Sequence, residues 1–369
     1  MTGAGRRLSA QLPDFPWDTI ADARSRAQQH PDGIVDLSVG TPVDPTPAIA
    51  REALAAAADS PGYPQTMGTP ALREAMVRYL SERWGAVGLG VEGVLPVIGS
   101  KELVGALPSE LGLGPGDVVA FPTAAYPTYE VGARIAGCVP LAVDTPDELG
   151  DAVPALVWIN SPSNPTGRVR TADELAAWVR WARDHDAVLA SDECYGELGW
   201  DAEPVSVLDP RVCGDDHAGL LAVHSLSKRS NLAGYRVGFV GGDSSLVQEL
   251  LAVRKHAGKI MPGPVQAAAA ALLGDDDHVA EQKERYRARR ALLRPALESY
   301  GFRVDHSEAG LYLWVTRSEP SRASLAALAE LGILAAPGDF YGPAGAEHLR
   351  VALTGTDERI AAAASRLSA

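Results

Sequence analysis

The chain has 369 residues, 46% of them hydrophobic, and a formal net charge of −14. That length is more than one core usually serves, so two domains are the default, and the acidity speaks against a nucleic-acid partner. No apolar stretch reaches membrane length, no charged-then-apolar leader opens the chain, and Cys138, Cys194 and Cys213 lie far apart without a CxxC pair. Neither a disulfide framework nor a zinc site follows from such cysteines, and a reducing cytoplasm is the expected location.

In chain order, residues 1–11 read as a mobile lead-in, and LPDFPWD as an arm lying on a surface. A short apolar strand over 34–39 ends in Gly40-Thr41-Pro42. Thr46 with Pro47 in the first turn predicts a helix to about residue 58, and Thr69 with Pro70 predicts another to residue 84. Gly88, Gly90 and Gly93 spell GxGxxG, but a helix precedes them and an apolar run follows. The dinucleotide fingerprint needs the reverse order, so they read as a helix-to-strand connection. From 94 to 192 strand and helix alternate: VLPVI, a helix to about 111, DVVAFP, a helix over AYPTYEVGARIAG, ALVWIN, a helix opened by a Thr171–Glu174 capping box, and AVLASDECY. Alternation of this kind predicts an α/β fold, a mostly parallel sheet flanked by helices, with ligands beyond the carboxyl ends of its strands. AVLASDE also looks like the acidic strand of a nucleotide hydrolase, but the chain has no GxxxxGK[ST] loop to accompany it. Past residue 240 helices dominate (244–256, 264–273, 277–300), followed by a smaller α/β segment. The expected division is an N-terminal arm (1–47) joining the small domain, a large domain (48–256) and a small C-terminal domain (257–369).

Residues 221–240, LAVHSLSKRSNLAGYRVGFV, read as strand, loop, strand and carry the chemistry. A lysine between apolar strands is costly to bury as an ammonium. Here Lys228 follows Ser225 and Ser227 and precedes Arg236 by eight residues. Arg236 can hold a phosphate bidentately and Ser225 can donate to it. A lysine beside a phosphate cradle points to a Schiff base with pyridoxal 5′-phosphate.

SLSKRSNLAGYRVGF resembles the lysine motif of the fold-type I pyridoxal-phosphate enzymes, specifically the class I/II aminotransferases. The resemblance runs from about 34 to 360 and implies a large cofactor domain plus a smaller α/β domain. By itself, Gly99-Ser100-Lys101 between strand and helix offers amides and a hydroxyl for the phosphate. The resemblance implies that Tyr126 stacks on the pyridine ring, that Asn164 in SPSNPTG and Tyr195 reach its phenolic oxygen, and that Asp192 pairs with its nitrogen, keeping the ring an electron sink. It also implies that Arg350 binds the substrate α-carboxylate with Gly40 and Asn164 alongside. Tyr63 would contact the phosphate of a neighbouring subunit, which makes the working unit a homodimer with shared sites. Lys228, Asp192 and Tyr195 are then the catalytic set, with Lys228 moving the proton from the substrate's Cα. Amino acids and keto acids, glutamate and 2-oxoglutarate among them, are the partners; no metal and no membrane are involved.

LPDFPWDT, DLSVGTPVDPTP, HSEAGLYLW and APGDFYGPAG are similar to the actinobacterial N-succinyldiaminopimelate aminotransferases. That implies amination of N-succinyl-2-amino-6-oxopimelate on the diaminopimelate route to lysine. Its distal carboxylates need cations, for which Lys101, Arg254, Lys255 and Lys259 are the candidates, Arg254 first for its bidentate reach. An aspartate or aromatic aminotransferase and a carbon–sulfur β-lyase keep the same cofactor residues, so both remain open. A cofactor-binding regulatory module lacks the basic extension it would need.

Overall fold

The computed structural model describes residues 8–13 and 15–368. A seven-stranded sheet forms the centre, in the order Val94–Val97, Gly238–Gly242, Leu220–Ser225, Val188–Asp192, Leu156–Asn160, Val118–Phe121, Val139–Ala142. Leu156–Asn160 and Leu220–Ser225 are buried at every position, as a sheet covered on both faces requires. Alternate side chains serve opposite faces. Leu156 and Trp158 pack with Leu103 and Tyr129, while Val157 and Ile159 pack with Leu175 and Trp178. Neighbouring strands are parallel except at Gly238–Gly242, which runs antiparallel to both of its neighbours. That reversal brings the start of this strand, and Arg236 just before it, to the edge where the other strands end.

A second, antiparallel sheet orders Ala336–Pro337, His348–Ala352, Tyr312–Thr316 and Arg303–Asp305. Val35–Asp36 pairs in parallel with Ile333–Leu334, so the start of the chain is built into its end. Ile20, Val35 and Leu37 accordingly share a core with Leu293, Leu313 and Val351. Among the described residues no helix is long and apolar enough to cross a membrane.

Several elements depart from the sequence reading. Residues 1–7 of the expected lead-in lie outside the described residues, but Leu8–Gln11 form a 3₁₀ turn. The arm continues through Pro16–Ile20 into a helix, Ala21–Gln28, that periodicity could not reveal because it is polar and buries only Ala27. Thr46 does not cap the next helix: Pro47 holds the cap position of Ala48–Ala56, with no side-chain bond. Thr69 does accept from the Leu72 amide, and the Thr171–Glu174 capping box is present. Val139–Ala142 is a strand absent from the sequence reading; it sits at the sheet edge, where the missing donor of Pro140 is tolerated. The change of core also falls later than residue 256, because Gly263–Leu273 packs on Ala48–Ala56 and Pro70–Trp84 and shares their apolar cluster.

Candidate active site

The carboxyl edge of the large sheet faces the second sheet across a cavity of about 430 Å³. Eleven of the twelve residues assigned from sequence to the cofactor, the catalytic set and the α-carboxylate line it: Gly40, Ser100, Lys101, Tyr126, Asn164, Asp192, Tyr195, Ser225, Lys228, Arg236 and Arg350. Tyr63 does not. Its side chain is fully exposed, away from the cavity of its own chain.

Lys228 sits on a one-turn helix, Leu226–Arg229, directly after the fully buried strand Leu220–Ser225. Its Nζ donates to the Gly40 carbonyl, and burial, aided by the Arg350 charge, lowers its pKa from the ordinary lysine value. Asp192 is buried at the end of its strand. Its Oδ2 accepts from the Tyr129 hydroxyl at 2.8 Å and its Oδ1 from the Cys194 amide at 3.2 Å. Burial raises its pKa, against the lowering effect of those bonds, so a cationic partner in the cavity would favour its ionised form.

The anion-binding end lies around Gly99. This glycine has φ +93°, and a Cβ there would stand 2.2 Å from an Arg236 guanidinium nitrogen; only glycine lets the arginine lie against the helix entry. The first amides of Ser100–Glu110 open beside it. Arg236 is itself left-handed, φ +56°, and donates to the Ala233 carbonyl at 2.9 Å. Lys101 stands 5.8 Å from the centre of the Tyr126 ring, its pKa lowered by burial and by Arg236. Tyr126 precedes rather than begins its helix, Thr128–Ala136, and burial pushes its phenol up to about 12. Ser225 is not free to donate as expected. Its hydroxyl donates to the Val237 carbonyl at 3.3 Å and accepts from the Ser227 amide at 3.1 Å, capping the turn that presents Lys228.

At the opposite end Arg350 is buried at 3% exposure. Its guanidinium donates to Asn164 Oδ1 at 2.9 Å and the Ser38 carbonyl at 2.8 Å, and lies 4.0 Å from the Tyr312 ring centre and 4.9 Å from that of Tyr341. Its Nε has no partner, and no carboxylate pairs with it among the described residues. A buried cation held only by neutral groups is a receptor for an anion. The cavity wall as a whole carries four cations, Lys101, Lys228, Arg236 and Arg350, against the single carboxylate of Asp192. That excess fits a phosphate at one end and a carboxylate at the other, and Tyr126 and Asp192 add an aromatic face and a carboxylate to the same wall.

One expectation is overturned. Arg254 is fully buried and bound to Glu102 (2.6 Å) and Glu110 (3.0 Å), and Lys259 bonds both of those carboxylates at 2.8 Å. Lys255 is exposed, and none of the three lines the cavity. The charges of Arg254 and Lys259 are answered within the fold and Lys255 stands outside the cavity, so none of the three is a substrate contact. Sequence reasoning also missed Tyr129, Cys194 and Tyr312. Tyr129 lies three residues past Tyr126, one helical turn, and Tyr312 faces the same way as Trp314 in an alternating strand. The mouth of the cavity is apolar: Phe15, Trp17 and Val39 line it. A second cavity of about 470 Å³ lies near Trp314, but charges on its wall are already paired, His348 with Asp305 (2.9 Å) across the lining and Arg168 with Glu174 behind it.

A family model described as aminotransferase class I and II matches residues 32–367. The chain is 63% identical to a Mycobacterium tuberculosis protein named Probable aminotransferase Rv1178, covering 98% of this chain and 86% of that one. It is 59% identical to the 4-dedimethylamino-4-oxo-anhydrotetracycline transaminase OxyQ of Streptomyces rimosus, covering 97% and 99%. An LL-diaminopimelate aminotransferase of Dehalococcoides mccartyi is 32% identical, covering 95% and 93%. Among solved structures, a Thermus thermophilus aspartate aminotransferase double mutant superposes with a TM-score of 0.88 at 26% identity, covering 100% of this chain and 99% of that one.

Proposed function

The chain belongs to the class I and II aminotransferases, which are pyridoxal-phosphate enzymes of fold type I, and we propose that it aminates N-succinyl-2-amino-6-oxopimelate with glutamate as donor. The observation that carries an α-carboxylate substrate is Arg350, a buried guanidinium without a carboxylate partner in the same cavity as Lys228 and Asp192. When bound, the cofactor supplies an electron sink for the pair left when a substrate C–H bond breaks. The protein's part is positional. Arg236, Ser100 and the helix entry at Gly99 would hold the phosphate, Asp192 would pair with the ring nitrogen, and Arg350 and Asn164 would fix the carboxylate. Lys228 then stands within the cavity to take the proton from Cα.

The acylated lysine precursor is supported by the four segments similar to the actinobacterial enzymes and by the diaminopimelate relatives. With Arg254, Lys255 and Lys259 excluded, Lys101 is the cavity cation left for a distal carboxylate, and the apolar mouth suits the methylene chain. A second reading draws on the 59% identity to OxyQ and on the aromatic mouth of Phe15 and Trp17: a bulky cyclic ketone as acceptor. Tyr63, exposed at the surface, supports the further reading of a homodimer in which each chain lends this phenol to the other's phosphate.

An acceptor screen with glutamate as donor decides among these. Preference for the succinylated keto acid over oxaloacetate, pyruvate and aromatic keto acids supports the lysine-pathway assignment. A greater than tenfold preference for one of the others, or for a polycyclic ketone, overturns it. Keto-acid release beyond one turnover without an acceptor would indicate a lyase.

A further inference from the structure

The two ends of the cavity, the lysine and the carboxylate-binding arginine, are joined by one side chain with no assigned role, Tyr312. It lies on Tyr312–Thr316 of the second sheet, 4% exposed. Its hydroxyl is 3.1 Å from the Tyr195 hydroxyl. The same oxygen sits so close to Gly40 that a Cβ built there would stand 2.1 Å away, and Gly40 offers its carbonyl to Lys228 Nζ. Tyr312 and Lys228 thus converge on one glycine. On its other side the ring carries the Arg350 guanidinium, 4.0 Å from its centre.

We propose that Tyr312 is a positioning residue for the transamination described above: its ring is the platform that aims Arg350, and its oxygen is the second acceptor, beside the Gly40 carbonyl, for the charge that Lys228 gains on taking the Cα proton. The proposal rests on the aminotransferase reading of the cavity. In the step concerned the Cα–H bond breaks and an N–H bond forms on Nζ, and the electron pair passes to the cofactor. The resulting ammonium is buried with no carboxylate partner among the described residues, so its stabilisation falls to oxygen acceptors. Four titratable or charged groups of the same cavity act on the Lys228 charge: Tyr312, Arg350, Cys194 and Arg236. Of these only Tyr312 and Cys194 favour the charged lysine. The Cys194 thiol is pushed well up by burial and stays neutral. The Tyr312 phenol is shifted the other way: Arg350, Lys228 and the Tyr195 bond together outweigh its burial and lower its pKa. The Tyr195 and Tyr312 hydroxyls share one hydrogen bond at 3.1 Å, and Tyr312 accepts toward the lysine side when Tyr195 is the donor.

The test uses the holoenzyme with glutamate and 2-oxoglutarate. Tyr312→Phe keeps the ring and removes the oxygen. It is expected to lower kcat about tenfold with KM changed less than threefold, and to enlarge the deuterium isotope effect at the glutamate Cα. In the resting holoenzyme the charge beside Gly40 and Tyr312 is that of the protonated Schiff base on Lys228, so removing the Tyr312 oxygen moves the pH-dependent limb of the cofactor's visible absorbance to lower pH. Tyr312→Leu removes the platform as well and raises KM for 2-oxoglutarate by a further factor of about ten. A Phe variant with kcat within twofold of wild type and an unmoved limb would overturn the proposal. So would equal KM increases in both variants at unchanged kcat, which would assign the side chain to packing alone. Should the Leu variant not fold, the Phe variant decides. Wild-type protein inactive with every acceptor would sink the proposed function instead, while the absorbance titration would still report the Tyr312–Lys228 link.

Discussion

Arg350→Gln removes a charge that the fold isolates for the substrate. The guanidinium is buried, its protein bonds go to Asn164 and a backbone carbonyl, and its Nε is unbonded. A substrate carboxylate that enters here is desolvated and meets one cation. Truncating one partner of such a buried charged contact costs about 2–5 kcal/mol, which is roughly a 30-fold to several-thousand-fold loss in kcat/KM. Arg350→Lys keeps a cation but not the planar fork, and falls between wild type and Gln. The assay is kcat/KM for glutamate and for 2-oxoglutarate, beside an amine that lacks an α-carboxylate. The carboxylate substrates should suffer and the plain amine should not. A loss below threefold in the Gln variant, or an equal loss for the carboxylate-free amine, would refute the assignment of Arg350 as the carboxylate receptor.

Borohydride should fix the cofactor on the peptide that contains Lys228. In the apoprotein this amine, its pKa lowered mainly by burial, should keep reacting with an aldehyde at pH values where exposed lysines, near 10.4, are protonated and slow; labelling of another lysine would contradict both points. Tyr129→Phe takes a 2.8 Å donor from the buried Asp192 carboxylate and lets its pKa rise further. Loss of a hydrogen bond to a charged group costs about 1.5–3 kcal/mol, so cofactor dissociation measured by absorbance should strengthen by about tenfold or more. Arg254→Ala leaves Glu110 buried with only Lys259 to answer it and should cost about 3 kcal/mol in denaturant unfolding. Its kcat/KM per folded enzyme should stay within twofold; a selective loss of substrate binding would restore Arg254 to the site. Mixing inactive Tyr63→Ala and Lys228→Ala chains should recover part of the activity through one intact site per mixed dimer, and a fully active monomer would contradict that sharing.

Legibility in the sequence followed the range of the interaction. The Thr171–Glu174 capping box and the Thr69 cap act over three residues, so their letters alone carried them. Asp192, Asn164 and Lys228 were legible because strand ends on one sheet edge converge, and each lies at or just past such an end. The polar helix Ala21–Gln28 gave no periodic signal, since its position is held by elements far along the chain.

What sequence determined by itself was therefore the alternation that builds the sheet, the local caps, and the chemical types gathered in the loops. Tertiary structure decided which charges were spoken for. Arg254 and Arg350 are both buried arginines in apolar company, yet Glu102 and Glu110 meet the first, from a helix some 150 residues earlier in the chain, and only neutral groups meet the second. The antiparallel run of Gly238–Gly242 likewise set Arg236 at the cofactor edge, and the second sheet, facing the first across the cavity, brought Tyr312 against Arg350 and against the glycine that Lys228 bonds. A charged side chain's role is fixed by what stands opposite it, and in a fold of this kind that partner comes from distant chain.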